Sequence, residues 1–235
     1  MENTVMQAAL AAALPPLGIA MPQDRQEKLC AFGDMLLEKN KVMNLTSITD
    51  PAQVAVLHFA DCLTLLTLAD FQGKTVIDVG CGGGFPGVPL KIACPALKLT
   101  LLDSLGKRMN WLAETLPALG VDAECVIARA EEEVLNRRER YDFALSRAVA
   151  RLNILCELCL PYVKVGGYFF SMKGAAAQEE AAEAEAAIEK LGGKLEKIQE
   201  FSIGGASHSV IMIRKTRPTP REFPRRYGKI KQKPL

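Results

Sequence analysis

The stretch from Val76 to Gly87 reads Val-Ile-Asp-Val-Gly-Cys-Gly-Gly-Gly-Phe-Pro-Gly. It places a carboxylate, Asp78, at the end of an apolar run and follows it with glycines, which let a backbone turn sharply and approach a ligand closely. A helix beginning near Pro86 would aim its N-terminus at the bound group. Ligands of open α/β sheets sit at the carboxyl ends of the strands, where this loop falls. Two cofactors fit. Gly82-x-Gly84-x-x-Gly87 satisfies the dinucleotide fingerprint, and Asp78 to Gly84 satisfies D-x-G-x-G-x-G, the pattern associated with S-adenosylmethionine (SAM). A carboxylate before the glycines suits a ligand carrying an ammonium and a sulfonium. It does not suit a pyrophosphate, which needs donors and positive potential. No Lys-Ser/Thr follows the glycines, so a P-loop is excluded.

Asp103 ends a second apolar run nineteen residues past Gly84. An acidic residue there can accept bonds from both ribose hydroxyls, in SAM or NAD alike. A third run ends at Arg129-Ala130-Glu131, where adenine contacts are usual. These residues favour SAM over NAD, with Asp78, Gly82, Gly84 and Asp103 as its first contacts.

The elements that must position these groups follow from the texture of the chain. Residues 1–70 read as a helical extension: Leu29, Phe32, Leu36 and Leu37 recur at helical spacing, Pro15-Pro16 breaks the preceding apolar stretch, and Thr49-Asp50-Pro51 is a helix start. From Lys74 short strands alternate with helices. Strands are expected at Thr75–Val79, Leu99–Asp103, Ala123–Ile127, Phe143–Leu145 and Tyr168–Met172. Helices are expected over Pro86–Cys94, Leu105–Leu119 and Leu152–Val163. That alternation means βαβ units and a parallel sheet. An Ala/Glu-rich helix over Ala175–Leu191 precedes a terminal antiparallel pair, Leu195–Ile203 and Ser209–Arg214. The expected organisation is an α/β domain over 71–215, the extension over 1–70, and a basic tail over 216–235 that is extended or disordered in isolation.

Composition narrows the class. The 235 residues are 49% hydrophobic and 24% charged, which fits a globular chain and excludes a collagen-like repeat or a disulfide scaffold. Seven irregularly spaced Cys fit reduced thiols and a cytoplasmic location. No stretch of 18 apolar residues occurs, so no membrane partner is expected. From Arg214 onward nine Lys/Arg face one Glu, which leaves the first 213 residues with 20 cations against 26 anions. An acidic body with a basic tail is an electrostatic footprint for nucleic acid. Cys156-x-x-Cys159 has no second pair, so zinc is not expected and the thiols read as buried. His58 and Trp111 read as packing residues.

Asp78-Val-Gly-Cys-Gly-Gly-Gly-Phe-Pro-Gly-Val-Pro-Leu90 resembles the signature of the bacterial 16S rRNA guanine-N7 methyltransferase family, also called the glucose-inhibited division protein B family. Leu101-Leu-Asp-Ser-Leu-Gly-Lys-Arg108, Arg129-Ala-Glu-Glu132 and Ser146-Arg-Ala-Val-Ala150 resemble further motifs of that family. So do Asn40-Lys-Val-Met-Asn-Leu-Thr46, His58-Phe-Ala-Asp-Cys-Leu63 and the tail from Phe223. The resemblance spans almost the whole chain. It implies a class I SAM-dependent methyltransferase fold, Rossmann-like, with a mostly parallel seven-stranded sheet and a terminal antiparallel strand. It also implies methylation of N7 of a guanine in the 530 loop (position 527) of 16S rRNA in the small ribosomal subunit, with no DNA partner expected. By position it implies SAM contacts from Gly80, Phe85, Ala130, Glu131 and Arg147, with Asp103 on the ribose. Cys81 departs from the Thr or Ser common at its position.

Guanine N7 carries a lone pair and no proton, so its methylation needs no general base. Rate comes from holding N7, methyl and sulfur in line. Arg147 and Lys173 are therefore candidates for positioning rather than for acid–base work. Lys107, Arg108, Arg129, Arg221, Arg225, Arg226, Lys229, Lys231 and Lys233 are candidates for RNA phosphates, and Tyr227 or Phe223 for stacking on a base. Deleting residues 217–235 is expected to weaken RNA binding and to spare SAM. Three rivals stay open at this level: an NAD-dependent oxidoreductase, an RNA-binding factor without methyl transfer, and a SAM enzyme with another substrate.

Overall fold

The computed structural model describes residues 2–147 and 149–235. Seven strands form one sheet: β1 (Thr75–Val79), β2 (Lys98–Asp103), β3 (Glu124–Ile127), β4 (Tyr141–Arg147), β5 (Val163–Lys173), β6 (Gly193–Ile203) and β7 (Ala206–Lys215). Their order is β3-β2-β1-β4-β5-β7-β6. The first five run parallel, and β7 is antiparallel to both β5 and β6. Side chains alternate between faces along each strand. Val76, Leu101 and Phe170 therefore enter one buried cluster, while their neighbours Ile77, Leu102 and Phe169 enter the other. Being covered on both faces explains why these strands read as unbroken apolar runs.

The N-terminal helices cover the first face. Helix α1 (Glu2–Ala13) and α2 (Gln23–Met43) contribute Met6, Leu10, Leu29, Phe32 and Leu36 to the same cluster as the sheet. Pro15–Leu17 makes one tight 3-10 turn between them, closed by Gly18. Asp50 accepts from the backbone N–H of Gln53 at 2.8 Å and caps the next helical run. That run consists of α3 (Pro51–Gln53), a π-helical stretch Val54–Ala60, and α4 (Asp61–Leu63). π-helical turns inside helices occur frequently at functional sites.

Helices α5 (Gly87–Ala93) and α6 (Gly106–Ala118) join them there through Leu90 and Leu112, while α7 (Ala130–Arg137), α8 (Leu152–Cys159), α9 (Ala177–Glu183) and α10 (Glu185–Lys190) cover the other face. Three of these differ from the sequence expectation. α8 stops at Cys159, because Pro161 cannot continue the backbone ladder, and a 3-10 turn leads into β5 instead. The Ala/Glu-rich helix is two helices that break at Ala184 and bury Ala181, Ala187 and Ile188. α7 was not expected at all. It is held at its ends, with three Glu in the first turn and Arg137 in the last, complementing the helix dipole.

The tail is folded against the domain, and a short helix, α11 (Tyr227–Gln232), lies within it. Phe223 and Ile230 are buried. Glu157 on α8 is fully buried and accepts from the Arg225 backbone N at 2.7 Å, Nε at 2.9 Å and a guanidinium NH2 at 2.6 Å. Breaking a buried pair leaves a charge without compensation. Glu157→Ala is expected to cost about 3 kcal/mol in unfolding free energy and to let trypsin cut between Arg221 and Arg226 under conditions that leave the wild type intact. Equal protease lifetimes would show that other contacts hold the tail.

Candidate functional site

The site forms where β1, β2 and β4 end. The backbone N–H groups of Gly80 and Cys81 donate to Leu102 O at 2.8 and 3.3 Å, which folds the glycine loop back over β2. Gly80 has φ +73°, and a Cβ there would meet Val149 at 2.7 Å, so the loop requires glycine at this point. The Gly82 N–H donates to Asp103 Oδ2 at 3.0 Å and the Leu105 N–H to Asp103 Oδ1 at 2.9 Å. Both carboxylate oxygens are thus oriented by backbone and each keeps lone-pair capacity for a further donor.

Gly80, Gly82, Phe85, Asp103, Ala130, Glu131 and Arg147 all line one cleft of about 520 Å³, with Arg108 and Arg129 also on its walls. Asp78 and Gly84 lie behind it. Asp78 is fully buried, and its Oδ2 accepts the Gly87 N–H at 2.7 Å. This corrects two expectations. Asp78 braces the loop rather than lining the cleft, and the first N–H of α5 is spent on Asp78 rather than offered to a ligand. Cys81, where the resemblance expects Thr or Ser, lines the cleft and turns its thiol onto Met109 Sδ at 3.5 Å.

Residues from outside the sheet complete the walls. Asn40 Oδ1 accepts the Leu45 and Thr46 N–H groups at 2.6 and 2.9 Å, and so pins the loop that presents Thr46. Arg147 donates to His58 Nδ1 at 3.1 Å and to Asp61 Oδ2 at 3.3 Å, and lies over the Phe85 ring at 4.7 Å. Because Nδ1 accepts, the His58 proton sits on Nε2, which lies 2.7 Å from Thr46 Oγ1. Burial, with the Arg147 charge adding to it, lowers the His58 pKa to about 4. His58 is therefore neutral at physiological pH. Asp61 Oδ1 lies 3.1 Å from His208 Nδ1, and this hydrogen bond raises the His208 pKa.

A neighbouring cavity of about 540 Å³ shares His58, Arg147 and Val149 with the cleft and extends to Lys173, Glu180 and His208. Lys173 is largely committed there, donating to Ala150 O at 2.5 Å and pairing with Glu180 at 2.7 Å. Among the tail residues, Arg221, Arg226, Lys229, Lys231 and Lys233 are exposed, as is Lys107 on α6. Arg225 is committed to Glu157 and Phe223 is buried, so neither has a free face for RNA. Thr46, His58, Asp61, His208 and the cleft position of Tyr227 were missed as site residues. The first three stand in the two N-terminal motifs, which carried the available signal. Among the described residues no group of three or more His, Cys, Asp or Glu is placed to hold a metal.

Asp78 Oδ1 has no hydrogen-bond partner, and burial raises its pKa from the ordinary 3.8 to about 7. The fold thus binds this proton more tightly than the unfolded chain does. The resulting stabilisation is complete below about pH 4 and is lost as pH rises through about 7. Asp78→Asn stays neutral and keeps an acceptor for Gly87. Between pH 5 and 8 the melting temperature of the ligand-free wild type should therefore fall relative to the variant, by an amount on the order of a few kcal/mol in stability. Parallel profiles would mean that Asp78 is ionised throughout.

A family described as GidB, rRNA small subunit methyltransferase G, matches residues 25–210. The Ribosomal RNA small subunit methyltransferase G of Alkaliphilus metalliredigens is 44% identical over 225 residues, covering 93% of this chain and 94% of that protein. The protein of the same name from Symbiobacterium thermophilum is 43% identical over 246 aligned positions and covers all of both chains. Among solved structures, a SAM dependent methyltransferase from Aquifex aeolicus superposes with a TM-score of 0.57 at 19% identity, over 72% of this chain and 96% of that one. P. horikoshii TYW2 in complex with MeSAdo gives 0.55 at 17% identity, over 67% and 62%. At these identities the structural likenesses show the fold, a Rossmann-like methyltransferase sheet.

Proposed function

The chain belongs to the rRNA small subunit methyltransferase G family, and from that membership we propose that it methylates N7 of a guanine in the 530 loop, position 527, of 16S rRNA, using SAM in the cytoplasm. The observation that carries this reading is the single cleft that gathers the glycine loop, Asp103, Ala130–Glu131 and Arg147 from four separate strand ends. We read 71–215 as the catalytic unit, 1–70 as a helical extension that supplies Thr46, His58 and Asp61, and 216–235 as the basic tail.

The residues fit SAM. Asp103 offers an oriented carboxylate to the ribose hydroxyls, and the carboxylates of Asp103 and Glu131 on the cleft walls suit a cationic ligand. When bound, SAM supplies an electrophilic methyl group on a sulfonium. The chain's own part is to place and to shield. Arg147 is fixed by Asp61, His58 and the Phe85 face, so it forms a rigid wall between the cleft and the adjoining cavity. The Nδ1 lone pair of His58 is already occupied by Arg147. His58 is thus not free to act as a general base beside the shared wall, as suits a nucleophile that loses no proton.

We place the target guanine in the adjoining cavity. Its carboxylates, Asp61 and Glu180, suit the N1–H and N2–H donors of guanine, and the remaining N–H of Lys173 suits O6. Cations placed to meet the RNA backbone are Lys107, Arg129, Arg221, Arg226, Lys229, Lys231 and Lys233, with Arg108, which also donates to Asn44 O at 3.4 Å.

Incubation with labelled SAM and 30S subunits that lack base methylation is expected to place label as 7-methylguanine in the 530 loop. Label at another nucleotide would overturn the position, and no label from a protein shown to bind SAM would overturn the substrate. Asp103→Ala is expected to weaken SAM binding by roughly tenfold or more, the worth of hydrogen bonds to a charged acceptor. Unchanged affinity would remove the ribose role.

A further inference from the structure

From its sequence the basic tail serves RNA and leaves the cofactor untouched. The structure places it differently. Lys215, at the end of β7, is fully buried and donates to Leu160 O at 2.7 Å and to Thr219 Oγ1 at 2.5 Å. Thr219 Oγ1 in turn donates to Leu191 O at 2.7 Å, and its N–H to Glu139 Oε1 at 2.9 Å. Arg138 reaches the carbonyl oxygens of Thr219 and Phe223. The Phe223 ring is buried, and Arg225 is clasped by Glu157. Beyond that clasp, Ile230 buries the short helix α11 against the domain. The tail is a strap fastened at successive points, and it is fastened beside the cleft.

Two adjacent residues of α8 show how. Glu157 holds the strap at Arg225, and the next residue, Leu158, lines the cleft. Tyr227, two residues beyond Arg225, lines the same cleft. It is half-buried and packs on the cluster that Ala128 and Ala130 also join. Ala130 is itself held from below, its carbonyl accepting from Tyr162 Oη at 2.7 Å. The cleft runs from the glycine loop after β1, past Asp103 after β2, to Ala128–Glu131 after β3. With Asp103 on the ribose, the far end takes the adenine. Ala130, Leu158 and the Tyr227 ring give that end an apolar, partly aromatic lining suited to a planar base.

We propose that Tyr227 forms a wall of the adenine end of the SAM cleft, which makes the basic C-terminal strap a cofactor-binding element as well as an RNA contact. This rests on SAM being the ligand of the cleft, but not on which nucleotide of which RNA is methylated.

The test is calorimetric titration of the full-length protein with SAM, and separately with 5′-methylthioadenosine, which keeps the adenine and ribose and lacks the amino-acid end. No RNA is present. Tyr227→Ala is expected to weaken both ligands equally, by about tenfold, as loss of an aromatic stacking wall does. Tyr227→Phe, which keeps the ring, should stay within about twofold of wild type, and its melting temperature reports whether the strap is still seated. Loss of SAM affinity without loss of methylthioadenosine affinity would overturn the adenine placement. Unchanged affinity for both ligands in Tyr227→Ala, with weaker binding of a 530-loop RNA, would assign the ring to RNA and overturn the proposal. A wild-type protein that binds neither nucleoside would overturn the SAM reading itself, whereas a wrong rRNA position would leave these titrations untouched.

Discussion

Asp61 is 4% exposed and holds Arg147 with one carboxylate oxygen and His208 with the other. Those three residues come from α4, the end of β4 and β7, so one buried acid joins the helical extension to two strands of the sheet. An acid this buried requires compensation, because desolvating a carboxylate costs several kcal/mol. The compensation fixes Arg147, and Arg147 fixes much else. It donates to His58, adds to the burial that keeps that imidazole neutral, and lies over Phe85 of the glycine loop. The wall between the cleft and its neighbouring cavity is therefore set by electrostatics as much as by packing.

The glycine loop is constrained from its far side in a similar way. Asp78 Oδ2 takes the Gly87 N–H, and a Cβ on Gly87 would lie 2.9 Å from that oxygen and from Leu101 Cδ2. A Cβ on Gly84 would meet Val88 at 2.7 Å. Glycine is thus required where the backbone packs on itself behind the cleft, as well as at Gly80 where it approaches Val149. The acid that precedes the glycines contributes by holding the turn shut, and Asp103 is the acid that lines the cleft.

This division explains what the sequence could disclose. Four of the five parallel strands were legible because both of their faces are largely buried, which makes them short β-branched and apolar runs, whereas β3, at the sheet edge, is half exposed and was legible from its Cys-Val-Ile sequence alone. The cleft residues were legible because strand ends and glycines mark them. Asp78 was misplaced because a motif records that an acid stands before the glycines but not which way it points. α7 was missed because Val134 is its only buried residue, and one apolar position makes no period. His58 and His208 stand 150 positions apart and meet around Asp61 only once β7 is inserted between β5 and β6. The strap was illegible for the same reason. A run of Pro and cations reads as disordered until its counter-charge is known, and that charge, Glu157, lies 68 residues upstream on a helix that otherwise reads as apolar.

The strap also changes what the charge distribution means. A free basic tail on an acidic body would raise encounter rates with RNA and nothing more, since exposed charges on a mobile chain act mainly through the screened long-range field. A tail fastened at Lys215, Thr219, Phe223 and Arg225 holds Arg226, Lys229 and Lys231 on and beside α11, the helix whose Tyr227 lines the cleft. RNA that engages those cations then bears on the element that walls the nucleoside. Any energy with which bound RNA steadies the strap is energy with which it steadies the cofactor, and linkage makes the effect reciprocal. Cofactor-loaded protein would hold RNA better for the same reason that RNA-bound protein holds cofactor better, and the two substrates of a group transfer would reach the site as a coupled pair.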